Sequence, residues 1–252
     1  MSRILLLGGT TEAGRLARLL ADAGMDAVYS YAGRTTHPVD QPLPIRIGGF
    51  GGADGLADYL RAQAIGHVID ATHPFAAQIS RNAIAAAKAT TVPILSLHRP
   101  PWQPDAGDNW LHVPHLQAAA KVLPEEPAHV FLAIGRQHLA AFAELSHHWL
   151  LRLVDPPDAP LSLRNAHAVI ARGPFTPDAD EALLRDHAIT HLVTRNAGGT
   201  GAKAKLIAAR RLGLSVVMVD RPALPPCDSV DTPEAAIDWV HQTTPARWLR
   251  GV

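Results

Sequence analysis

The stretch Arg3-Ile4-Leu5-Leu6-Leu7-Gly8-Gly9-Thr10-Thr11-Glu12-Ala13-Gly14 narrows the choice of folds more than any other part of the chain. Ile4 to Leu7 form a short apolar run, Gly8 and Gly9 allow a tight turn, and a helix from about Glu12 to Ala23 points unbonded backbone donors back at that turn. A strand, a glycine turn and a helix in this order open a parallel βαβ unit, and the helix start is suited to an anion. Against the spacing Gly-x-Gly-x-x-Gly counted from Gly8, the match is partial. Thr10 stands at the second glycine position and Ala13 at the third, where alanine is tolerated. Thr10 and Thr11 offer hydroxyls to phosphate oxygens, while Thr10 also reads as an ordinary helix N-cap.

The pattern then repeats. A second strand, Ala27–Tyr31, runs out into Ala32-Gly33-Arg34-Thr35-Thr36. In a Rossmann-like unit an acid just past this strand accepts ribose hydroxyls and a cation neutralises a 2′-phosphate, so Arg34 favours the phosphorylated nicotinamide cofactor; a solvated loop arginine is the alternative. Ile45-Arg46-Ile47 leads into the glycine cluster Gly48-Gly49-Phe50-Gly51-Gly52, and a helix is expected over Ala53 to Ala62. The strand His67–Asp70 opens into Ala71-Thr72-His73-Pro74-Phe75 before a helix from Ala76 to Lys88. Ligands of doubly wound folds bind at such strand ends, which makes Asp70, Thr72 and His73 better candidates than His147 and His148, both read as surface histidines. His73 can bind a carboxylate or move a proton near neutral pH, or it can simply cap the turn before proline. Val92 to Leu97 ends this half, and the Pro/Asp/Gly-rich excursion from His98 to Asp108 marks the boundary. Residues 1–100 and 101–252 are the expected domains. Arg99 and Trp102, at that boundary, either close over a ligand or pack.

Strand and helix alternate again from Trp110 onward, and Gly135-Arg136 ends the strand Val130–Ile134 much as Gly8-Gly9 ends the first. The strand His191–Thr194 leads into Arg195-Asn196-Ala197-Gly198-Gly199-Thr200-Gly201-Ala202-Lys203 and a helix through Arg211. Small residues let the backbone approach a ligand there, with Arg195 and Lys203 as charges beside a helix start, so this is a second anion-binding candidate. The spacing Gly-x-x-x-x-Gly-Lys-Ser/Thr is absent, and a nucleotide triphosphatase is not indicated. A last strand, Val216–Val219, and a helix after Thr232-Pro233 complete the pattern; periodicity leaves that helix to pack on either half.

With 252 residues, 47% of them hydrophobic, the chain can bury one large or two modest cores without metal or disulfide support. The single cysteine, Cys227, excludes an intrachain disulfide and a cysteine-rich zinc site. A formal charge of zero with no basic block points away from nucleic acid. No apolar run is long enough to span a bilayer and the start lacks signal-peptide character, so a cytoplasmic protein with no membrane partner is expected.

Taken together in their order and spacing, the motifs Leu7 to Ala13, Ala32-Gly33-Arg34, Gly48 to Gly52, Asp70 to Ala76, Arg172-Gly173-Pro174-Phe175, Arg195 to Gly199, Lys203 and Val219-Asp220-Arg221-Pro222 resemble the precorrin-6A reductase family of cobalamin biosynthesis, including the cobalt-precorrin-6A reductases. The resemblance covers nearly the full length. It implies an α/β protein of two Rossmann-like domains with largely parallel sheets and NADPH in an intervening cleft. It implies hydride delivery to C19 of precorrin-6A and protonation at C18 to give precorrin-6B, with His73 as the candidate catalytic group and solvent as another proton source. It further implies pyrophosphate-side contacts from Gly9, Thr10 and Thr11, a 2′-phosphate contact from Arg34, and Thr72 and His73 near the nicotinamide or macrocycle. Arg195, Asn196, Gly198, Gly199 and Lys203 would face the cofactor cleft from the second half, and no metal ligand is implied. Relatives can carry serine where this chain has Ala197, which removes one hydroxyl contact. The partner is a polycarboxylate macrocycle, with room for transient contact with neighbouring pathway enzymes. A reductase of a smaller ketone or imine, or a nucleotide-binding regulator, would use the same glycine turns.

Overall fold

A computed structural model describes residues 2–32, 39–157 and 159–244. Arg34 lies outside the described residues. The chain divides into two compact units, one made of the described residues of Met1–Pro100 and Ala223–Val252, the other of those of Pro101–Pro222.

In the first unit β1 (Arg3–Leu7), α1 (Thr11–Asp22), β2 (Ala27–Tyr31), β3 (Ile45–Ile47), α2 (Gly52–Ala62), β4 (Ile65–Asp70), α3 (Ala77–Thr90) and β5 (Ile94–Leu97) follow in sequence. The second unit runs β6 (Asn109–Val113), α4 (Leu116–Lys121), β7 (His129–Ala133), a 3-10 segment Arg136–Phe142, β8 (His148–Leu153), β9 (Ala166–Ile170), α5 (Pro177–Asp186), β10 (His191–Arg195), α6 (Ala204–Arg211) and β11 (Ser215–Val219). The chain then returns to the first unit with β12 (Asp228–Val230) and α7 (Pro233–Thr243). Each unit holds a six-stranded sheet, and every strand pairing is parallel.

The two sheets have one topology. The first is ordered β12-β5-β4-β1-β2-β3 and the second β6-β11-β10-β7-β8-β9, so β7 stands to its sheet as β1 does to the first, and β10 as β4. In both, the chain builds outward on one side of the central strand and then crosses to the other, the doubly wound order that creates a switch point between the two central strands. The sixth, edge position is filled differently: by the late strand β12 in the first sheet and by the early strand β6 in the second. The sequence does not announce β12. It is three residues, Asp-Ser-Val, behind two prolines, and it is held by pairing with β5, where His98 N–H donates to Val230 O at 3.0 Å.

Burial on both faces explains the unbroken apolar strands. In β1, Ile4 and Leu6 pack against Leu16 and Leu20 of α1 and Ala236 and Val240 of α7, whereas Leu5 and Leu7 pack against Leu56 and Leu60 of α2 and Ala83 and Ala86 of α3. The terminal helix therefore covers the first unit. In the second unit Phe131, Leu150, Leu192 and Met218 meet Leu184 of α5 and Leu206 of α6. On the other face Phe142 lies edge-on to the buried Trp149, with ring centroids 5.7 Å apart. His147, expected at the surface, is only 2% exposed. It precedes an interior strand; its Nδ1 accepts the Ala128 N–H at 3.1 Å and its ring sits edge-on to Trp149.

Candidate ligand site at the strand ends

Parallel register brings the C-terminal end of β1 beside that of β4, with Leu7 opposite Asp70. The two following turns are tied together: Thr10 Oγ1 donates to Ala71 O at 2.8 Å, and Ala71 N–H donates to Leu7 O at 2.9 Å. The switch point of the first sheet thus gathers Gly9, Thr10 and Thr11 with Thr72 and His73, which lie far away in sequence.

Gly8 and Gly9 do different jobs. Gly9 has φ +115°, a left-handed value that disfavours a side chain, and a Cβ added there would meet nothing within 4 Å. At Gly8 a Cβ would fall 2.1 Å from Cζ of Tyr29, so this glycine makes room for a buried ring. The Tyr29 hydroxyl accepts the Gly9 N–H at 2.8 Å, and burial pushes its pKa up to about 12. It is a neutral prop for the turn.

Thr10 is the N-cap of α1, with its hydroxyl accepting the Ala13 N–H at 3.1 Å. Gly14 N–H is the first to close on a helical carbonyl, that of Thr10, which leaves the N–H groups of Thr11 and Glu12 ahead of the intrahelical ladder. Helix α1 therefore presents backbone donors and its positive dipole end at the turn. Glu12, an acid in that first turn, is neutralised by Arg99 at 2.8 Å. Arg99, expected either to close over a ligand or to pack, is set against the Glu12 carboxylate.

On the other side, Asp70 is 2% exposed and accepts both the N–H (3.0 Å) and the hydroxyl (2.7 Å) of Thr72. This orients Thr72 by spending its hydroxyl proton on Asp70. His73 Nδ1 accepts the Phe75 N–H at 3.2 Å, which puts the proton of the neutral ring on Nε2. Nearby, Arg46 donates to the carbonyls of Gly48 (2.5 Å) and Gly49 (2.7 Å) and stacks 3.7 Å from the Phe50 ring centroid. It was not singled out from sequence; its role is to organise the glycine cluster.

The second unit carries a corresponding turn after β10. Gly198 (φ +71°) and Gly199 (φ +73°) are consecutive left-handed residues, as the dense glycines suggested. Asn196 is buried, and both ends of its amide engage the Trp102 backbone: Oδ1 accepts the N–H at 2.7 Å and Nδ2 donates to the carbonyl at 3.0 Å. Trp102 Nε1 donates to Gly199 O at 2.6 Å, and Arg221 donates to the carbonyls of Asn196 and Ala197. Trp102 is thus packing, the anchor of the turn. Arg195 is half-buried, donates to His138 Nε2 at 3.1 Å, and has its pKa lowered by desolvation. Lys203 sits at the N-cap of α6, half-exposed and 3.7 Å from Asp105.

Sequence reasoning missed Lys205, Arg152 and Asp180. Lys205 is 7% exposed and lies just past Lys203; Arg152 lies inside the apolar β8 and ion-pairs with Asp180, a buried acid in the first turn of α5. The available signal was an arginine interrupting Trp149-Leu150-Leu151. Among the described residues no group of His, Cys, Asp or Glu is placed to hold a metal ion, and no helix is long and apolar enough to cross a membrane.

Two all-parallel, doubly wound sheets with glycine turns at their switch points define a Rossmann-like α/β protein. The family model for precorrin-6x reductase CbiJ/CobK matches residues 3–241. Precorrin-6A reductase of Rhodobacter capsulatus is 60% identical over 97% of this chain and 99% of its own length. The cobalt-precorrin-6A reductase of Priestia megaterium is 31% identical over 88% of this chain and 91% of its own. The solved structure of a CobK precorrin-6A reductase superposes with a TM-score of 0.90 at 60% identity, covering 96% of this chain and 97% of that one. The chain belongs to the precorrin-6A reductase family.

Proposed function

We propose that this protein reduces precorrin-6A to precorrin-6B with NADPH. The observation that carries the reading is similarity to precorrin-6A reductases over nearly the whole chain. Relatives named for the cobalt-containing substrate are the more distant ones, which favours the metal-free ring.

The first unit suits a dinucleotide. The N–H groups at the start of α1, the open space at Gly9 and the Thr11 side chain are the groups to hold a pyrophosphate. Arg99 keeps Glu12 from repelling that charge. Arg34 is assigned to the 2′-phosphate. Bound NADPH supplies the hydride for C19 of the substrate. The residues of the chain bind, orient and exclude water: Asp70 fixes Thr72, and Thr72 and His73 are assigned to the reacting end. His73, with its proton on Nε2, is the candidate donor to C18, and solvent is the competing source. Arg195 and Lys203 are assigned to anionic groups of the ligands, together with the turn formed by Asn196, Gly198 and Gly199. A protein of the cytoplasm fits this soluble substrate and cofactor.

The test is anaerobic incubation with precorrin-6A and stereospecifically deuterated NADPH, locating deuterium in the product by NMR and mass. Label at C19 is expected. Bound substrate with no label at C19 refutes the reaction.

A further inference from the structure

We propose that the cavity beside Lys205 in the second unit is a carboxylate pocket that receives one acidic side arm of the macrocycle, an inference resting on the reductase reading above. The cavity has a volume of about 170 Å³ and is lined by Ile134, Arg152, Phe175, Asp180, Ala202 and Lys205, among others. Sites that enclose whole small molecules run from roughly 300 to 1,000 Å³, so this one has room for an arm and not for the ring. Its position follows from topology: β7 and β10 are the central pair of the second sheet, and Ala133 and Ile134 stand at the end of β7, where doubly wound sheets bind ligands.

The Lys205 charge has no carboxylate of its own among the described residues. Arg152 and Asp180 form an ion pair, with side chains 11% and 4% exposed. Lys205 is equally buried, and its ammonium donates to Ala202 O at 2.7 Å and lies 4.9 Å from the Trp102 ring centroid. A carbonyl and an aromatic face stabilise an ammonium, but neither neutralises it. Arg152 and Arg195 act against the Lys205 charge and Asp180 acts for it, yet that carboxylate is already engaged by Arg152. Desolvation accordingly brings the Lys205 pKa down to about 8, with Asp180 offsetting part of the effect. A buried cation in such surroundings gains most from an incoming anion. The guanidinium of Arg152 is stacked 4.0 Å from the Phe175 ring centroid and 5.3 Å from that of Phe131, which leaves apolar surface for the methylenes of an arm beside cations for its carboxylate.

The experiment uses full-length protein carrying ¹³Cε-lysine, with Lys205→Met to identify the Lys205 resonance. Saturating propionate is expected to raise the Lys205 pKa by about one pH unit or more, as an opposite charge at contact does. In steady-state assays with NADPH, Lys205→Met should raise KM for precorrin-6A about tenfold, the loss of one charge-assisted hydrogen bond, with KM for NADPH unchanged, and Lys205→Arg should restore most of the loss. The propionate titration is done on the wild-type chain and does not depend on the variant folding. Wild-type protein that turns over precorrin-6A, shows no Lys205 response to propionate and keeps its KM in Lys205→Met overturns the pocket and leaves the reductase. A Lys205 response to propionate in protein that binds precorrin-6A and never reduces it overturns the reductase reading and supports the carboxylate pocket.

Discussion

Gly8→Ala tests the division of labour between the two glycines of the first turn. The added methyl would lie 2.1 Å from Cζ and 2.3 Å from both Cε1 and Oη of Tyr29. Ordinary carbon contacts begin at about 3.5 Å, so the ring must retreat by well over an ångström. It has little room to do so: Tyr29 is 1% exposed, its ring centroid is 4.6 Å from that of Tyr31, and its hydroxyl holds the Gly9 N–H. Overpacking of this kind costs about 1–3 kcal/mol, and loss of the hydrogen bond adds about 0.5–1.5 kcal/mol. A total of about 2–4 kcal/mol is expected, read by native-state hydrogen exchange of the β1 and β4 amides, with weaker NADPH binding because the turn moves. Gly9→Ala meets no atom, and only its backbone strain opposes it, so its loss should be smaller. Because the clash needs the ring, Tyr29→Leu should absorb much of the Gly8→Ala penalty, giving a coupling of about 1 kcal/mol or more. Equal losses from Gly8→Ala in the wild-type and Tyr29→Leu backgrounds would refute the steric argument.

Arg34→Ala should weaken NADPH binding while sparing NADH; an unchanged preference between the two removes the 2′-phosphate assignment. His73→Ala is expected to slow the single-turnover rate with binding intact, and an unaltered rate eliminates His73 as the proton donor. His147 and His191 both have pKa values lowered, first by desolvation, and the charges of His191 and His148 add to the effect at His147. Their unfolded pKa is about 6.5, so the unfolded chain takes up these protons first as pH falls. Stability of the second unit should therefore be full above about pH 6.5 and decline below it. Urea midpoints measured across that range in wild type and His147→Gln check this, and equal pH slopes in the two would count against His147.

What the sequence determined was the architecture and its punctuation. Apolar runs such as Ile4–Leu7 and Val216–Val219, alternating with helices, demand parallel sheets covered on both faces, because every strand residue must find an apolar neighbour. Gly9, Gly198 and Gly199 were legible because positive φ selects glycine locally. Strand order was not legible, since hydrogen bonding between parallel strands joins residues far apart in sequence, and β12 has too little apolar pattern to declare itself. Tertiary structure alone decided that Gly8 serves Tyr29, that Asn196 clamps Trp102, and that Arg152, Asp180 and Lys205 meet around one cavity. Each of those facts depends on which side chains are brought together across a sheet and on how much water is removed from them. A one-dimensional pattern can assign residues to strands and turns, but desolvation and charge balance exist only once the sheet has assembled.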